Sequence, residues 1–189
     1  MIWALIAIFA ALLFVVFTYN TLVGQVEAAN NSRRQIDVQL DRRYKVLENL
    51  INVVRPAMDF EASTLKDVTA LRAQAVQAKT RHDDVGQFAA EDGISAITRG
   101  LNVVFEQYPE LASLDNVRQL QEEIVSTENR LSYAKQAYND AVEVYQARKQ
   151  SFFSQMVVKL FAAKLDKPFT YWQLNPEQAA AYENHMVKL

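Results

Sequence analysis

The stretch QIDVQLDRR, residues 35–43, decides how the whole chain is interpreted. Ile36, Val38 and Leu40 alternate with polar residues, which is the pattern of a half-buried β-strand. Steps of four and three residues instead place the stretch in a longer stripe that consists of Leu22, Val26, Ala29, Arg33, Ile36, Leu40, Arg43, Leu47, Leu50 and Val54. Because a strand does not keep a period of about 3.5 residues over such a length, the sequence predicts one coiled-coil-like helix over residues 20–55, ended by Pro56.

A second long helix with the same period is predicted from Asp115, as its N-cap, to Phe152. Its stripe consists of Val117, Leu120, Ile124, Thr127, Leu131, Ala134, Tyr138, Ala141, Tyr145, Arg148 and Phe152. Shorter helices are predicted over residues 58–82 and 87–107, with a turn between them at His82–Gly86 and a break around Pro109. The predicted fold class is therefore all-α, with a long antiparallel four-helix bundle.

Arg33 and Arg43 are the two charged members of the first stripe. An arginine stem can lie along apolar surface while its guanidinium reaches water, or the guanidinium can pair with a carboxylate on a neighbouring helix. We expect ion pairing within the bundle between Arg43 and the second long helix, where the candidate carboxylates are Glu122, Glu123 and Glu128. An exposed helix face is an equally good interpretation of these three glutamates.

The N-terminal residues 2–19 carry no charge, and eighteen helical residues span about 27 Å, enough for the hydrocarbon core of a bilayer. Trp3 and Tyr19 stand near the two ends, as interfacial aromatic residues do. A cleaved signal peptide, the alternative, has basic residues before its apolar stretch, whereas the first basic residue here is Arg33. We therefore predict a transmembrane helix that continues into the bundle. The predicted division is an anchor at 1–19, a helical bundle domain at 20–165, and a C-terminal tail with a short helix at 166–189.

The orientation of this single span follows from the basic residues around it. Arg33 and Arg34 are the first basic residues after the apolar segment, and basic residues close to a span tend to stay in the cytoplasm. The sequence therefore predicts an N-terminus outside the membrane and a helical domain in the cytoplasm.

The composition argues against several classes of function. A net charge of −2 gives no overall case for nucleic-acid binding, and the absence of cysteine excludes disulfides and thiolate chemistry. His82 and His185 have no partner at metal-ligand spacing, and neither a glycine-rich phosphate loop nor a Glu-x-x-His motif occurs. We predict no enzymatic activity, no cofactor, no metal and no nucleic-acid partner.

The equal lengths of the two long helices predict where the chain returns to the membrane. Residues 20–55 and 117–152 each contain 36 residues, about 54 Å of helix, so antiparallel packing brings Phe152 to the level of Asn20. Residues 148–172 then carry a net charge of +4, and lysines beside apolar and aromatic side chains are typical of an interfacial helix. The predicted membrane-interface residues are Phe153, Met156, Val157, Lys159, Leu160, Phe161, Lys164, Lys167, Phe169, Tyr171 and Trp172. A contact between subunits and ordinary bundle core are the alternatives for this segment.

Several motifs resemble those of the LemA family, in order from Tyr19 to Phe169. They are TYNTLV, QIDVQLDRR, VFEQYPEL, LQEEIVSTENRLSYAKQAYNDAV and the closing FF…KLF. The resemblance implies a bacterial inner-membrane protein with an N-terminal transmembrane helix, a helical cytoplasmic domain and no enzymatic activity. It also implies relatives in magnetosome-forming bacteria that are linked to membrane invagination. Two prolines usual in the family are replaced here by Glu48 and Ser154, which predicts that both long helices are more continuous.

Two functions are consistent with these patterns. The first is a membrane-anchored helical structural protein that self-assembles at the bacterial inner membrane, with lipids and further copies as partners, and scaffolds or shapes that membrane. The second is an accessory or adaptor protein that presents a helical surface to an unlike membrane protein. The sequence does not identify such a partner or the number of copies in an assembly.

Overall fold

The computed structural model describes residues 1–54, 61–107 and 114–173, and within these ranges the chain is helical with no β-strand. The all-α prediction is therefore confirmed. The helices are α1 (Ile2–Val54), α2 (Glu61–Thr80), α3 (Asp84–Gln107), α4 (Asp115–Gln150), α5 (Phe152–Leu160) and α6 (Ala162–Leu165). The predicted stop at Pro56, the break at Pro109 and the predicted short helix after residue 174 lie outside the described residues.

Helix α1 runs without interruption for 53 residues. The strand interpretation of residues 35–43 is excluded, because Val38 is 64% exposed although Ile36 and Leu40 are buried. The predicted stripe is instead the buried face of α1, formed by Leu22, Val26, Ala29, Ile36, Leu40, Arg43, Leu47 and Leu50. Arg33 on the same stripe is half-buried, and the helix passes through Glu48 without a break, as the missing proline predicts.

The described chain forms two compact units. The first unit contains Met1–Asp37 and Tyr133–Tyr171, and so the beginning of α1, the end of α4, and both short helices. The second unit contains the described residues of Val38–Ser132, together with Trp172 and Gln173. Its four packed helical segments are the remainder of α1, α2, α3 and the beginning of α4, which is a four-helix bundle.

Helix α4 ends at Gln150, which corrects the prediction of a continuous helix through Phe152. The buried stripe follows the prediction as far as Tyr145, but Arg148 and Phe152 are exposed. Ser151 adopts an extended backbone conformation (φ −66°, ψ 143°), and its hydroxyl donates to the carbonyl oxygen of Arg148 at 2.8 Å. A serine hydroxyl that binds nearby backbone competes with the helical hydrogen bonds, so a break forms here without proline.

The turn between α2 and α3 is shorter than predicted, because α3 begins at Asp84. His82 has a positive φ of 58°, and the Asp83 carboxylate then caps α3 by accepting the Gly86 N–H at 2.9 Å. A Cβ at Gly86 would lie 2.9 Å from the Asp83 carboxyl carbon. Glycine therefore gives the carboxylate room to reach the helix terminus.

We expect the effect of Gly86→Ala on stability to depend on whether the Asp83 carboxylate is present to cap α3. In the native chain, alanine displaces the Asp83 carboxylate, so its helix propensity advantage of about 1 kcal/mol is offset by the lost cap. In an Asp83→Ala background, which itself costs about 1 kcal/mol, the same substitution should stabilise by nearly the full propensity difference. Thermal unfolding of the four variants in detergent, followed by circular dichroism, measures this. Equal effects of Gly86→Ala in both backgrounds would contradict the close approach.

Candidate functional site: an exposed apolar helix and a buried ionic cluster

The N-terminal part of α1 exposes apolar side chains on all its sides. Within the described residues, α1 is the one helix with the length and composition to cross a membrane, and very little of its apolar window is buried. Its large exposed side chains are Ile2, Trp3, Leu5, Ile6, Ile8, Phe9, Leu12, Leu13, Phe14, Val16 and Phe17. A continuous apolar surface of this kind marks contact with a membrane or a partner.

Helix α5 of the first unit packs directly on this apolar part of α1. The buried cluster joins α1, α4, α5 and α6 and consists of Leu22, Val26, Tyr145, Val157, Val158 and Leu165, with Val15, Tyr19, Val23 and Phe169 packed against it. The ring of Phe153 meets that of Phe14 edge-on at 5.7 Å, and the ring of Phe161 meets that of Tyr19 at 4.9 Å. Because these contacts follow the same order along both helices, α5 runs parallel to α1. The Ser151 turn precedes α5 and therefore lies towards the N-terminus of α1.

This contact corrects the predicted level of Phe152. The ring of Phe153, the residue after Phe152, packs on Phe14 rather than near Asn20, which is six residues further along α1. The Ser151 turn therefore lies about six residues deeper in the apolar segment than equal helix lengths suggested, roughly 9 Å.

Helix α5 has three faces with different surroundings. Ser154, Val157 and Val158 are buried against the protein. The exposed apolar face consists of Phe152 (75% exposed), Phe153 (61%), Met156 (64%) and Leu160 (71%). At roughly 100° per residue these four side chains lie within one arc of about 100°. Gln155 and Lys159 form a third, exposed polar edge beside that arc.

The predicted membrane-interface residues divide into three groups. Phe153, Met156, Lys159, Leu160, Phe161 and Lys164 are exposed, and Lys167, Phe169 and Tyr171 are half-buried. Val157 and Trp172 are instead buried and do not belong to the exposed surface. Val157 is part of the cluster with Leu22, and Trp172, in the second unit, stacks on Phe88 with ring centroids 4.0 Å apart. Lipid contact of the exposed residues stays a prediction.

The segment after α6 is held against α4 by hydrogen bonds between tyrosine hydroxyls of α4 and backbone groups of the segment, which sequence periodicity does not reveal. The Tyr145 hydroxyl donates to the carbonyl oxygen of Leu165 and accepts the Lys167 N–H at 3.0 Å. Further along, the Tyr138 hydroxyl donates to the carbonyl oxygen of Thr170 at 3.0 Å. Lys149 forms an ion pair with Asp166, and the hydrogen bond between the two side chains raises the pKa of Lys149.

A buried ionic cluster surrounds Arg43 in the second unit. Arg43 is 1% exposed, and its guanidinium pairs with Glu91, itself 2% exposed. The guanidinium also donates to Ser95 Oγ at 2.8 Å and lies 3.6 Å from Glu128 Oε1. The Tyr44 hydroxyl donates to the other Glu91 oxygen, and burial, followed by the charge of Glu91, raises the pKa of Tyr44 well above its usual value.

The predicted ion-pairing residues have different positions in the structure. Arg43 pairs inside the protein rather than reaching water, and Glu128 is one of its two carboxylate partners. Glu123 pairs instead with the neighbouring Arg42 at 3.0 Å. Glu122 is exposed, as the alternative interpretation of the glutamates allowed.

The principal partner of Arg43 is Glu91 of α3, which was not among the predicted ion-pairing residues. This helix buries a polar stripe made of Gln87, Glu91, Ser95 and Thr98. Their spacing of four, four and three residues is the helical signal that could have identified them. Across the described residues, no group of three or more acidic or histidine side chains is arranged to hold a metal ion.

We expect Arg43→Met to destabilise the second unit by about 3–5 kcal/mol, because Glu91 would remain buried without its counter-charge. Adding Glu91→Leu should restore most of this loss, since a buried ion pair replaced by apolar side chains is often nearly neutral. Arg42→Met is the matched control: its partly exposed pair with Glu123 is worth at most about 1 kcal/mol. Chemical unfolding in detergent provides the four free energies. Equal losses of unfolding free energy for Arg43→Met and Arg42→Met would show that the buried cluster contributes no more to stability than the partly exposed pair.

Comparison with known proteins agrees with this architecture. The model of the LemA family matches residues 32–183, about four-fifths of the chain. Two magnetosome proteins of Paramagnetospirillum magneticum (strain ATCC 700264 / AMB-1), MamQ 1 and MamQ 2, are each 21% identical to it over 168 residues. The alignments cover 77% of this chain and 62% of each relative, so the chain spans less than two thirds of their length. Because the family model matches most of the chain, the chain belongs to the LemA family.

Proposed function

We propose that this protein is a membrane-anchored structural protein that self-assembles at the bacterial inner membrane and scaffolds or shapes it. In this proposal α1 crosses the membrane once with its N-terminus outside, and the helical domain lies in the cytoplasm. The partners are membrane lipids and further copies of the chain.

The course of α1 is the observation that carries the proposal. Up to Phe17 its large apolar side chains are exposed, and from Leu22 onwards most of its large apolar side chains are buried. The same uninterrupted helix therefore has a section suited to lipid and a section suited to protein. Such a helix joins the anchor to the folded domain without a flexible linker.

The basic residues support the orientation. Arg33 and Arg34 follow the apolar segment on the side of the folded domain. Arg33 lies 5.5 Å from the ring centroid of Tyr138 within the first unit, so this charge is held against the protein. Positive charge on this side favours its retention in the cytoplasm.

The buried polar groups support a structural function. Arg43 of α1 connects α3 through Glu91 and α4 through Glu128, so these charged groups join helices to one another. The family relationship also supports it, because two relatives are named as magnetosome proteins. A structural function in membrane organisation is consistent with both observations.

The test is the mass and shape of the particle after extraction in a mild detergent, by multi-angle light scattering and negative-stain imaging. We expect a discrete particle containing several copies of the 21.5 kDa chain, unchanged on dilution and in a second detergent. A particle of one chain plus detergent would contradict self-assembly. Stoichiometric co-purification of an unlike membrane protein, with one copy of each chain, would favour the adaptor function instead.

A further inference from the structure

We propose that the turn between α4 and α5 is a lipid-inserting tip, and that the exposed apolar face of α5 contacts the acyl chains of a single leaflet. The face consists of Phe152, Phe153, Met156 and Leu160. This inference rests on the proposed function, because it requires that α1 crosses the membrane. It adds a second lipid contact beside the span, in the leaflet nearest the folded domain.

The depth of the tip follows from its ring contacts with α1. Phe161 meets Tyr19 near the end of the apolar segment, whereas Phe153 meets Phe14, five residues further inside it. Five helical residues correspond to about 7.5 Å, roughly half of one leaflet of a hydrocarbon core about 30 Å thick. A span centred on the apolar segment therefore takes the tip into the acyl chains.

Three carbonyl oxygens of the turn, those of Arg148, Gln150 and Ser151, accept hydrogen bonds within the protein. The carbonyl oxygen of Arg148 accepts hydrogen bonds from the N–H and the hydroxyl of Ser151, at 3.1 and 2.8 Å. The carbonyl oxygen of Gln150 accepts one from Gln155 Nε2 at 3.0 Å, and that of Ser151 accepts the Gln155 N–H at 3.0 Å. Because an unsatisfied carbonyl is costly in hydrocarbon, these bonds lower the cost of bringing the turn into it.

The polar side chains near the tip are compatible with this depth. Gln155 and Lys159 lie on the edge of α5 beside the apolar face, and Arg148 is exposed at the end of α4. Long basic side chains can extend their charged ends to the headgroups while their stems lie along apolar surface. Asp166 is paired with Lys149, so the acidic charge of this segment is compensated.

Lipid is a better occupant of this face than a second copy of the chain, because the face continues an apolar surface. Phe14, the contact residue of Phe153, is itself 47% exposed, and Leu13 beside it is 54% exposed. Any solvent that covers these α1 side chains also reaches the rings of Phe152 and Phe153, which meet edge-on at 5.1 Å. The lipid around α1 would therefore surround the tip as well.

The native chain contains no cysteine, so single cysteines can be labelled without further changes. Met156→Cys reports on the apolar face, and Lys159→Cys on the polar edge of the same helix is its matched control. Leu13→Cys reports on the span itself. Each full-length variant is labelled with an environment-sensitive fluorophore and reconstituted into phosphatidylcholine–phosphatidylglycerol vesicles. Quenching is then measured with lipids that carry a nitroxide at carbon 5 or carbon 12.

We expect quenching at Met156 to be several-fold stronger than at Lys159, and stronger with the shallow nitroxide than with the deep one. Quenching at Leu13 without quenching at Met156 would overturn the tip and leave the anchor intact. The absence of quenching at both positions would overturn the proposed function together with this inference. A probe at Met156 that is shielded without lipid quenching, increasingly so at higher protein-to-lipid ratios, would identify a second copy and also overturn the tip.

A second variant tests the tip without altering its buried face. Phe152→Ser in the Met156→Cys chain removes the most exposed ring of the face and leaves Val157 and Val158 in place. Quenching at Met156 should fall at least twofold while quenching at Leu13 is unchanged. Circular dichroism shows whether the helix content is preserved. An unchanged signal at Met156 in a folded variant would show that the aromatic tip does not drive insertion.

Discussion

Helix α1 changes from a fully exposed apolar surface to a partly buried one within little more than one helical turn, and the arrangement of the first unit depends on this change. In α1 the side chain of Phe17 is 65% exposed, whereas Thr18 and Leu22 are buried. On one side of this transition the helix offers apolar surface in every direction, and on the other side it offers a single stripe. The stripe residues Leu22 and Val26 pack in one cluster with Tyr145 of α4 and Val157 of α5, and α5 also contacts Phe14 before the transition. The position of the transition also sets how far α4 can follow α1 before its own side chains leave the protein.

The second unit is held together by a different interaction, a guanidinium removed from water. An arginine with 1% exposure is tolerated only where carboxylates and hydroxyls surround it, so Arg43 requires Glu91 and Ser95 on α3 and Glu128 on α4 at fixed positions. Apolar stripes alone allow helices to slide by a heptad, because neighbouring layers are similar. A single buried charge makes one register better than the others, and the polar stripe of α3 places that charge at one level.

The sequence predicted the apolar faces of the long helices and missed most of the buried polar and aromatic contacts. The 3.5-residue period identified the buried faces of α1 and α4, because burial along one face of a long helix recurs at every turn. Glu91 was missed although it repeats at helical spacing with Gln87, Ser95 and Thr98, since a polar stripe normally marks the exposed face of a helix. Trp172 was assigned to the lipid surface from composition, yet it stacks on Phe88. The hydrogen bonds of Tyr138 and Tyr145 that position the preceding segment involve backbone carbonyls, and no side-chain pattern encodes those.

The Ser151 turn shows how a local polar interaction can determine where an apolar surface lies. Had α4 continued as a straight helix, its next residues would have projected beyond the protein along the apolar part of α1, and Val157 and Val158 would have lost their buried positions. The break returns α5 along α1, so those two valines pack into the cluster with Leu22 while Phe152 and Met156 remain outside it. The exposed apolar face is therefore a consequence of folding back, not a failure to bury apolar side chains. Helix α5 has one face in the protein core and a second apolar face outside it, and this outer face must contact either lipid or protein. Because Phe153 packs on Phe14, the outer face shares the surroundings of the apolar segment of α1.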